Sequence, residues 1–495
     1  MTQPRPSDLV RTIVESAIPS IKVETVSTIP TKRLLRAFKV KLTDERTLLL
    51  NLLPPPSRLL RYEKWFVQSE AAVVEWLSQG AHQSQDRGGQ YADDMVAGKQ
   101  LQGASSTRRR APQPYSDTSV SVKSQLLSYL PALIEHSSTP TDTTPAFGLF
   151  EPTPGDPISS LGHAPTPAQR RSVDFQKGLL IRRIANITSP NGRFGQAALV
   201  LKQSQAPEDS QKRALENKLD FDGADGWKKT FHLLLEGILR DGEDRAVTMS
   251  YELVRTMFHK FGHLLDAVTT PRLVVCDADD DDIVLVSRLQ KVQQKQEHQD
   301  LDTPESGPTI KIEPGDSSSE FEQNADEDDA TTLEIRGLQD WSNCIFGDPL
   351  FATVFSHTTP EFERGFHQLH EAGKIKKDPG EPNVVKKEED DDSSSGDPDK
   401  EGVQGDIDDI IEDPDNAPTR ILLYECYHAT VAIVRQFYRP DANSSEREIA
   451  ARRRLVVALA KLEHVDANEP AGKRPRRPSR DDWPVKRPRG DTPVS

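Results

Sequence analysis

The 495 residues are more than one hydrophobic core organises, enough for two compact lobes plus unfolded stretches. Hydrophobic residues make up 35% and charged residues 28%, too lean an apolar supply for the whole chain to fold. A formal net charge of −15 counts against a protein coated in nucleic acid.

In chain order, residues 33–53 (RLLRAFKVKLTDERTLLLNLL) predict two strands around the turn Thr43-Asp44-Glu45-Arg46, the second almost wholly apolar as a buried strand would be. YEKWFVQSEAAVVEWLSQ (62–79) spaces its apolar residues as a helix does. From about 80 to 117 the composition turns to Gln, Gly, Ser and Arg, and a disordered insertion is expected. Order returns at QLLSYLPALIEH (125–136), and a Pro/Thr-rich connector covers 138–157. Thr166 then caps a long helix, with two further helices over about 226–241 and 248–266. LVVCDADDDDIVLV (273–286) reads as strand, acidic turn and strand. A polar insertion fills about 290–330, and 331–356 is again apolar. An acidic tract over 374–415 has too little apolar surface to fold, two amphipathic helices cover 416–466, and a Pro/Arg-rich tail ends the sequence.

Cys276, Cys344 and Cys426 lie far apart, with no CxxC pair, which fits a reducing compartment and excludes a disulfide framework or thiolate zinc site. No apolar run approaches the ~18 residues of a membrane span, and MTQPRPSDLV does not read as a signal peptide. A soluble intracellular protein with no membrane partner is expected.

The acidic turn packs five aspartates into six positions, 277–282. A calcium loop starting at Asp277 would need Gly at its sixth position and Glu at its twelfth; Asp282 and Arg288 stand there instead, so that reading fails. A solvated turn is one remaining reading. The other is a phosphotransfer centre, where one carboxylate accepts a hydroxyl's proton and others hold Mg²⁺ against ATP phosphates. Its second loop would be GLQDWSNCIFGDP, in which Asp340 follows an apolar run and precedes Trp341.

The pair LVVCDADDDDIVLV and IRGLQDWSNCIFGDPL resembles the motif pair of the aminoglycoside phosphotransferase and choline-kinase-like family. The likeness extends to the hairpin and helix of 33–79, the GDPISSL segment and the helices of 416–466. It implies a bilobal, protein-kinase-like α+β fold, with a small β-rich N-lobe over 1–145 and a mostly helical C-lobe over 146–373 and 416–466. It also implies ATP and Mg²⁺ as cofactors. Asp277 would take the place of the catalytic base, Asp282 and Asp340 those of the metal ligands, and Asp348 a structural one. Glu70 would partner the phosphate-binding Lys. That Lys is absent from the second strand, where TLLLNLL offers only Asn51; Lys39 and Lys41 share one face of the neighbouring strand, either within reach of phosphates or at a solvent-facing edge. Val275-Cys276 replace His-Gly, and STIPTKRLL has no glycine where a phosphate-covering loop belongs. Two functions follow: phosphoryl transfer from ATP to a hydroxyl acceptor, or a non-catalytic, pseudokinase-like nuclear scaffold binding partners through acidic segments.

KRPRRPSRDDWPVKRPR (473–489) carries two basic clusters, Lys473, Arg474, Arg476 and Arg477, then Lys486, Arg487 and Arg489. It resembles a bipartite nuclear-localisation signal for an import receptor; direct nucleic-acid contact is less expected, because the rest of the chain is acidic. IKIE (310–313) and VKKE (385–388) fit the acceptor pattern of the sumoylation machinery, at Lys311 and Lys386.

Overall fold

The computed structural model describes residues 5–31, 33–93, 123, 125–141, 144–205, 223–290, 331–372 and 410–468. The candidate signals at Lys311, Lys386 and 473–489 lie outside them.

The N-terminal lobe is built on a five-stranded antiparallel sheet in the order β1-β2-β3-β5-β4. Its strands are β1 (Val23–Thr28), β2 (Arg36–Leu42), β3 (Thr47–Leu52), β4 (Ala132–Ser137) and β5 (Phe147–Glu151). In β2, Phe38, Val40 and Leu42 are buried while Lys39 and Lys41 are exposed, the period-two pattern of a half-covered strand. The covering element is an amphipathic helix, α1 (Pro6–Ala17), which buries Val10, Ile13 and Val14 with Phe38, Val40, Leu48 and Leu50. Each such side chain withdrawn from water stabilises the lobe by about 1.5–3 kcal/mol.

Two sequence expectations are corrected here. The Pro/Thr-rich connector of 138–157 contains β5, which lies between β3 and β4, so the small lobe extends past residue 145. AFGLF is short, but four of its side chains are wholly buried, and that burial outweighs the flanking prolines and threonines. Helix α2 (Phe66–Asp93) also runs beyond 79 into the expected insertion, with no proline to stop it.

The chain crosses to the larger lobe through Pro152–Pro157. Gly155, at φ +118°, makes the turn, and the short strand β6 (Asp156–Pro157) pairs with β9. Thr166 caps α3 (Pro167–Ala185), as the sequence predicts, and Gln169 completes a capping box with it. Next come β7 (Gly195–Gln196), α4 (Ala197–Gln205), α5 (Trp227–Asp244) and α6 (Tyr251–Phe261). They are followed by β8 (Arg272–Val275), β9 (Val284–Gln290), β10 (Thr331–Leu338) and β11 (Cys344–Gly347). Helices α7 (Pro360–Ala372), α8 (Ala417–Tyr438) and α9 (Ser444–Asn468) complete the lobe. The two lobes form the bilobal α+β arrangement the sequence leads one to expect.

Trp227, Phe231, Phe351 and Tyr424 stack edge to face at the centre of the large lobe. Asp348 caps the turn at Leu350 and pairs with the wholly buried Arg420 of α8 at 2.8 Å, with the Tyr424 hydroxyl donating at 2.7 Å. It ties loop to helix, the structural role expected of it. The end of the expected acidic tract folds as well: Ile410 is buried, and Glu412 accepts from the amides and hydroxyls of Thr269 and Thr270. One apolar anchor and one satisfied carboxylate are enough to dock residues 410–415, which composition alone assigned to disorder. Among the described residues no helix is long and apolar enough to cross a membrane.

Candidate functional site

Strands β8 and β9, which flank the acidic turn, do not pair with each other; the hairpin suggested by LVVCDADDDDIVLV is corrected. β9 pairs with β10, and β8 pairs with β11 in a different sheet. The two strands flanking the acidic turn therefore each grip a strand flanking the second turn, and the turns are forced against one another. Cys276 N–H donates to Asn343 O at 3.0 Å, and Gln339 N–H donates to Ile283 O at 2.8 Å. These bonds lock Asp277 and Asp340 side by side from both ends.

Three aspartates of the turn brace it. Asp279 accepts from Thr353 Oγ1 at 2.6 Å. Asp280 accepts from the amide of Asp282 at 2.9 Å, closing the turn on itself. Asp281 binds Lys177 at 3.0 Å and Arg170 at 2.6 Å, both from α3, and Lys177 also donates to Asp279 O. These contacts hold the turn rigidly and leave Asp277 facing the cleft.

At the cleft stands a residue that sequence reasoning passed over. Arg33, in the segment joining β1 to β2, reaches down between the lobes. Its Nη1 lies 2.6 Å from Asp340 Oδ2 and its Nη2 lies 3.2 Å from Asp277 Oδ2. Only 11% of the side chain is exposed. Burial works against its charge, but Asp340, Asp277, Glu70 and Asp280 more than offset that and raise its pKa. Asp340 Oδ1 is held by the amide of Ser342 at 2.6 Å, so its Oδ2 is aimed at the cation. Asp277 Oδ1 is buried with no hydrogen-bond partner among the described residues. The Asp277 carboxyl is pushed up to about 6 by burial, with Asp340 and its neighbours in the turn adding to the rise and Arg33 opposing it. Two carboxylates about 4 Å apart repel by about 4 kcal/mol at an effective dielectric of about 20, and a shared cation relieves that repulsion.

Behind this pair, Asn51 and Glu70 meet as expected of the strand residue and its helix partner: Asn51 Nδ2 donates to Glu70 Oε2 at 3.1 Å. Trp341 N–H donates to Glu70 Oε1 at 3.3 Å. Glu70 is wholly buried, and burial first and then Asp340 raise its carboxyl to about 8. A neutral amide thus stands beside a carboxyl inclined to hold its proton.

The remaining expected residues divide. Asp282 and Lys39 line a cavity of about 900 Å³ between the lobes, roofed by Ile29, Pro30 and Leu49 and floored by Leu285. Lys41 instead pairs with Glu24 at 2.9 Å on the exposed edge of the sheet. A second cavity, of about 380 Å³, opens on the other side of Asp277 toward α8. Asp277, Asp279 and Asp280 line it together with Tyr62, Tyr427 and His428, and Arg435 and Arg454 also reach it. Sequence reading found nothing diagnostic in this region, because its lining comes from stretches scattered between Tyr62 and Arg454.

The donor set suits a hard cation. Asp277 and Asp340 offer carboxylate oxygens to one point, and Asp277 keeps an unpartnered oxygen. Among the described residues no three His, Cys, Asp or Glu side chains form a metal-holding group. Two carboxylates nonetheless match Mg²⁺, which takes one or two from the protein and the rest from water and phosphates.

No family model matches the chain, and no curated protein does. Solved structures similar to it include a putative fructosamine-3-kinase from Thermobifida fusca, at 12% identity over 90% of this chain and 98% of that one, with a TM-score of 0.39. A mutant of aminoglycoside 2'-phosphotransferase IIIa in its GDP complex is similar at 9% identity over 92% and 97%, with a TM-score of 0.40.

Proposed function

We propose that this chain is a phosphotransferase of kinase-like fold, moving a phosphoryl group from ATP to a hydroxyl acceptor. The observation that carries the reading is the aim of Asp277 and Asp340 at one cation beneath the small lobe. The nucleotide would occupy the 900 Å³ cavity, whose apolar roof and floor suit a base and whose Lys39 suits a phosphate. Asp340 and Asp277 would hold Mg²⁺, which when bound neutralises phosphate charge; Asp282, on the cavity wall, does not join them in a three-ligand group. The acceptor would enter the smaller cavity, where the Asp277 carboxylate takes the hydroxyl proton as the oxygen attacks the γ-phosphorus and the bond to the ADP oxygen breaks. The basic clusters at 473–489 support a nuclear location for this activity, and Lys311 and Lys386 are proposed modification sites.

A second reading has one specific observation in its favour. Arg33 already supplies a positive charge to both carboxylates, which is what a non-catalytic scaffold would need to keep them buried. Thermal unfolding with and without Mg·ATP separates the two. The enzyme gains stability by RT ln(1 + [L]/Kd), about 2.7 kcal/mol at a hundredfold excess over Kd, and Asp340→Ala removes the gain. A scaffold shows no gain, and its partner binding survives Asp277→Ala and Asp340→Ala.

A further inference from the structure

We infer that Arg33 is a two-position cation: it fills the metal position while the cleft is free of nucleotide, and it grips the nucleotide's phosphates once Mg²⁺ takes the carboxylates. The inference rests on the phosphotransferase reading and supplies the phosphate-binding group that reading lacks.

Four observations converge on it. Arg33 belongs to the segment that crosses the cleft between β1 and β2, and Ile29, Pro30 and Thr31 of that segment line the 900 Å³ cavity. Arg33 thus follows Thr31 of the cavity wall by two residues, with its guanidinium on the carboxylate pair. Second, Lys39 is the one cationic side chain among the described residues lining that cavity, and the strand position expected to carry a phosphate-binding lysine holds Asn51, already engaged with Glu70. A triphosphate would otherwise meet a single lysine.

Third, the segment has no glycine, so its amides stand off from a phosphate, whereas a long side chain crosses that gap. Arg33 already uses two Nη groups on two carboxylates, and the same planar fork matches a phosphate bidentately. Fourth, the charges require an exchange. Asp277 and Asp340 can give their shared point to either a guanidinium or a divalent ion. When Mg²⁺ arrives with its nucleotide, the displaced guanidinium has phosphate oxygens beside it as its new partner. No bond is made or broken in this step, only ion pairs exchanged.

The experiment is calorimetric titration of the full chain with Mg²⁺ alone and with Mg·AMP-PNP, comparing wild type, Arg33→Ala and Arg33→Lys. Asp340→Ala supplies the background from the other acidic residues, and far-UV circular dichroism checks each fold. Removing the guanidinium releases the carboxylates, so Arg33→Ala binds Mg²⁺ alone more tightly than wild type, by about tenfold to a hundredfold. It binds Mg·AMP-PNP more weakly by a similar factor, because the phosphates lose their fork. Arg33→Lys, which keeps the charge without the fork, falls between on both. Tighter or equal binding of Mg·AMP-PNP by Arg33→Ala overturns the inference and leaves the phosphotransferase reading standing; the arginine would then be only a plug. Unchanged affinity for Mg²⁺ alone also overturns it. Absence of nucleotide binding in all three proteins defeats the phosphotransferase reading itself, and the inference with it.

Discussion

Arg33, Asp277 and Asp340 share one small volume, and the balance among them sets what the cleft can bind. A +1 guanidinium against two carboxylates leaves a negative excess that a divalent ion satisfies better. Asp277 at about 6 is ionised at neutral pH and so is available as a base. His428, on the wall of the smaller cavity, is the clearest titration reporter. Its Nε2–H donates to Phe351 O at 2.8 Å, and burial pushes its pKa from 6.5 down to about 4. Below 6.5 the unfolded chain takes a proton that the folded chain refuses until about 4. The stability this neutral histidine supports is thus complete above 6.5 and lost as pH falls toward 4. Urea unfolding should show a decline of at most about 3 kcal/mol over that interval, and His428→Gln should flatten it. A histidine buried by α8 was not singled out in the sequence, where a lone His between apolar residues carries no pattern. Arg33 escaped for a related reason: one arginine in TKRLL looks like any strand-flanking charge. The signal was present only in combination, as a basic residue placed where a loop must cover anions and lacks glycine.

At the scale of elements, the two catalytic-type turns show how much of the fold was legible and where legibility stopped. Their residues and spacing were readable because short apolar runs flank both. Their pairing was not, since β8 and β9 are as apolar as a hairpin's arms but belong to different sheets. The cap at Thr166 was readable, a purely local signal. β5 was not, because the five residues that fill the gap between β3 and β4 sit among prolines and threonines. α7 has a local start signal, Thr359 capping Phe362 ahead of Pro360 and the acidic Glu361 and Glu363, but its place is set by close approach to α3. A Cβ on Gly365 would lie 2.0 Å from Phe175 O, and one on Gly178 would lie 2.2 Å from Phe362 O, both backbone atoms that cannot swing aside. Gly365→Ala should therefore destabilise the protein by about 1–3 kcal/mol or more through forced separation of the helices. Gly237→Ala in α5, with no atom within 4 Å of the added methyl, should stabilise it by up to about 1 kcal/mol through helix propensity alone. Thermal denaturation of the two variants in parallel checks both signs.

For the whole molecule, the small lobe brings Arg33, Asn51 and Glu70 to the cleft, and the large lobe brings Asp277 and Asp340. Neither half holds a site by itself. The sheet of the small lobe is tied to the second turn through Glu70 and Trp341, and to the first through Arg33, so a cation bound between the carboxylates is felt by both lobes. The five aspartates of 277–282 divide their roles at this scale. Three brace the turn against α3, the Thr353 segment and itself, one lines the large cavity, and Asp277 faces the point where the lobes meet. Electron paramagnetic resonance with Mn²⁺ in place of Mg²⁺, in the presence of AMP-PNP, tests that convergence most directly. Subtracting the signal of Asp340→Ala from that of the wild type should leave one bound Mn²⁺ per chain, with Asp277→Ala weakening the same site. Identical Mn²⁺ binding in wild type and Asp340→Ala would contradict a shared cation position between the lobes.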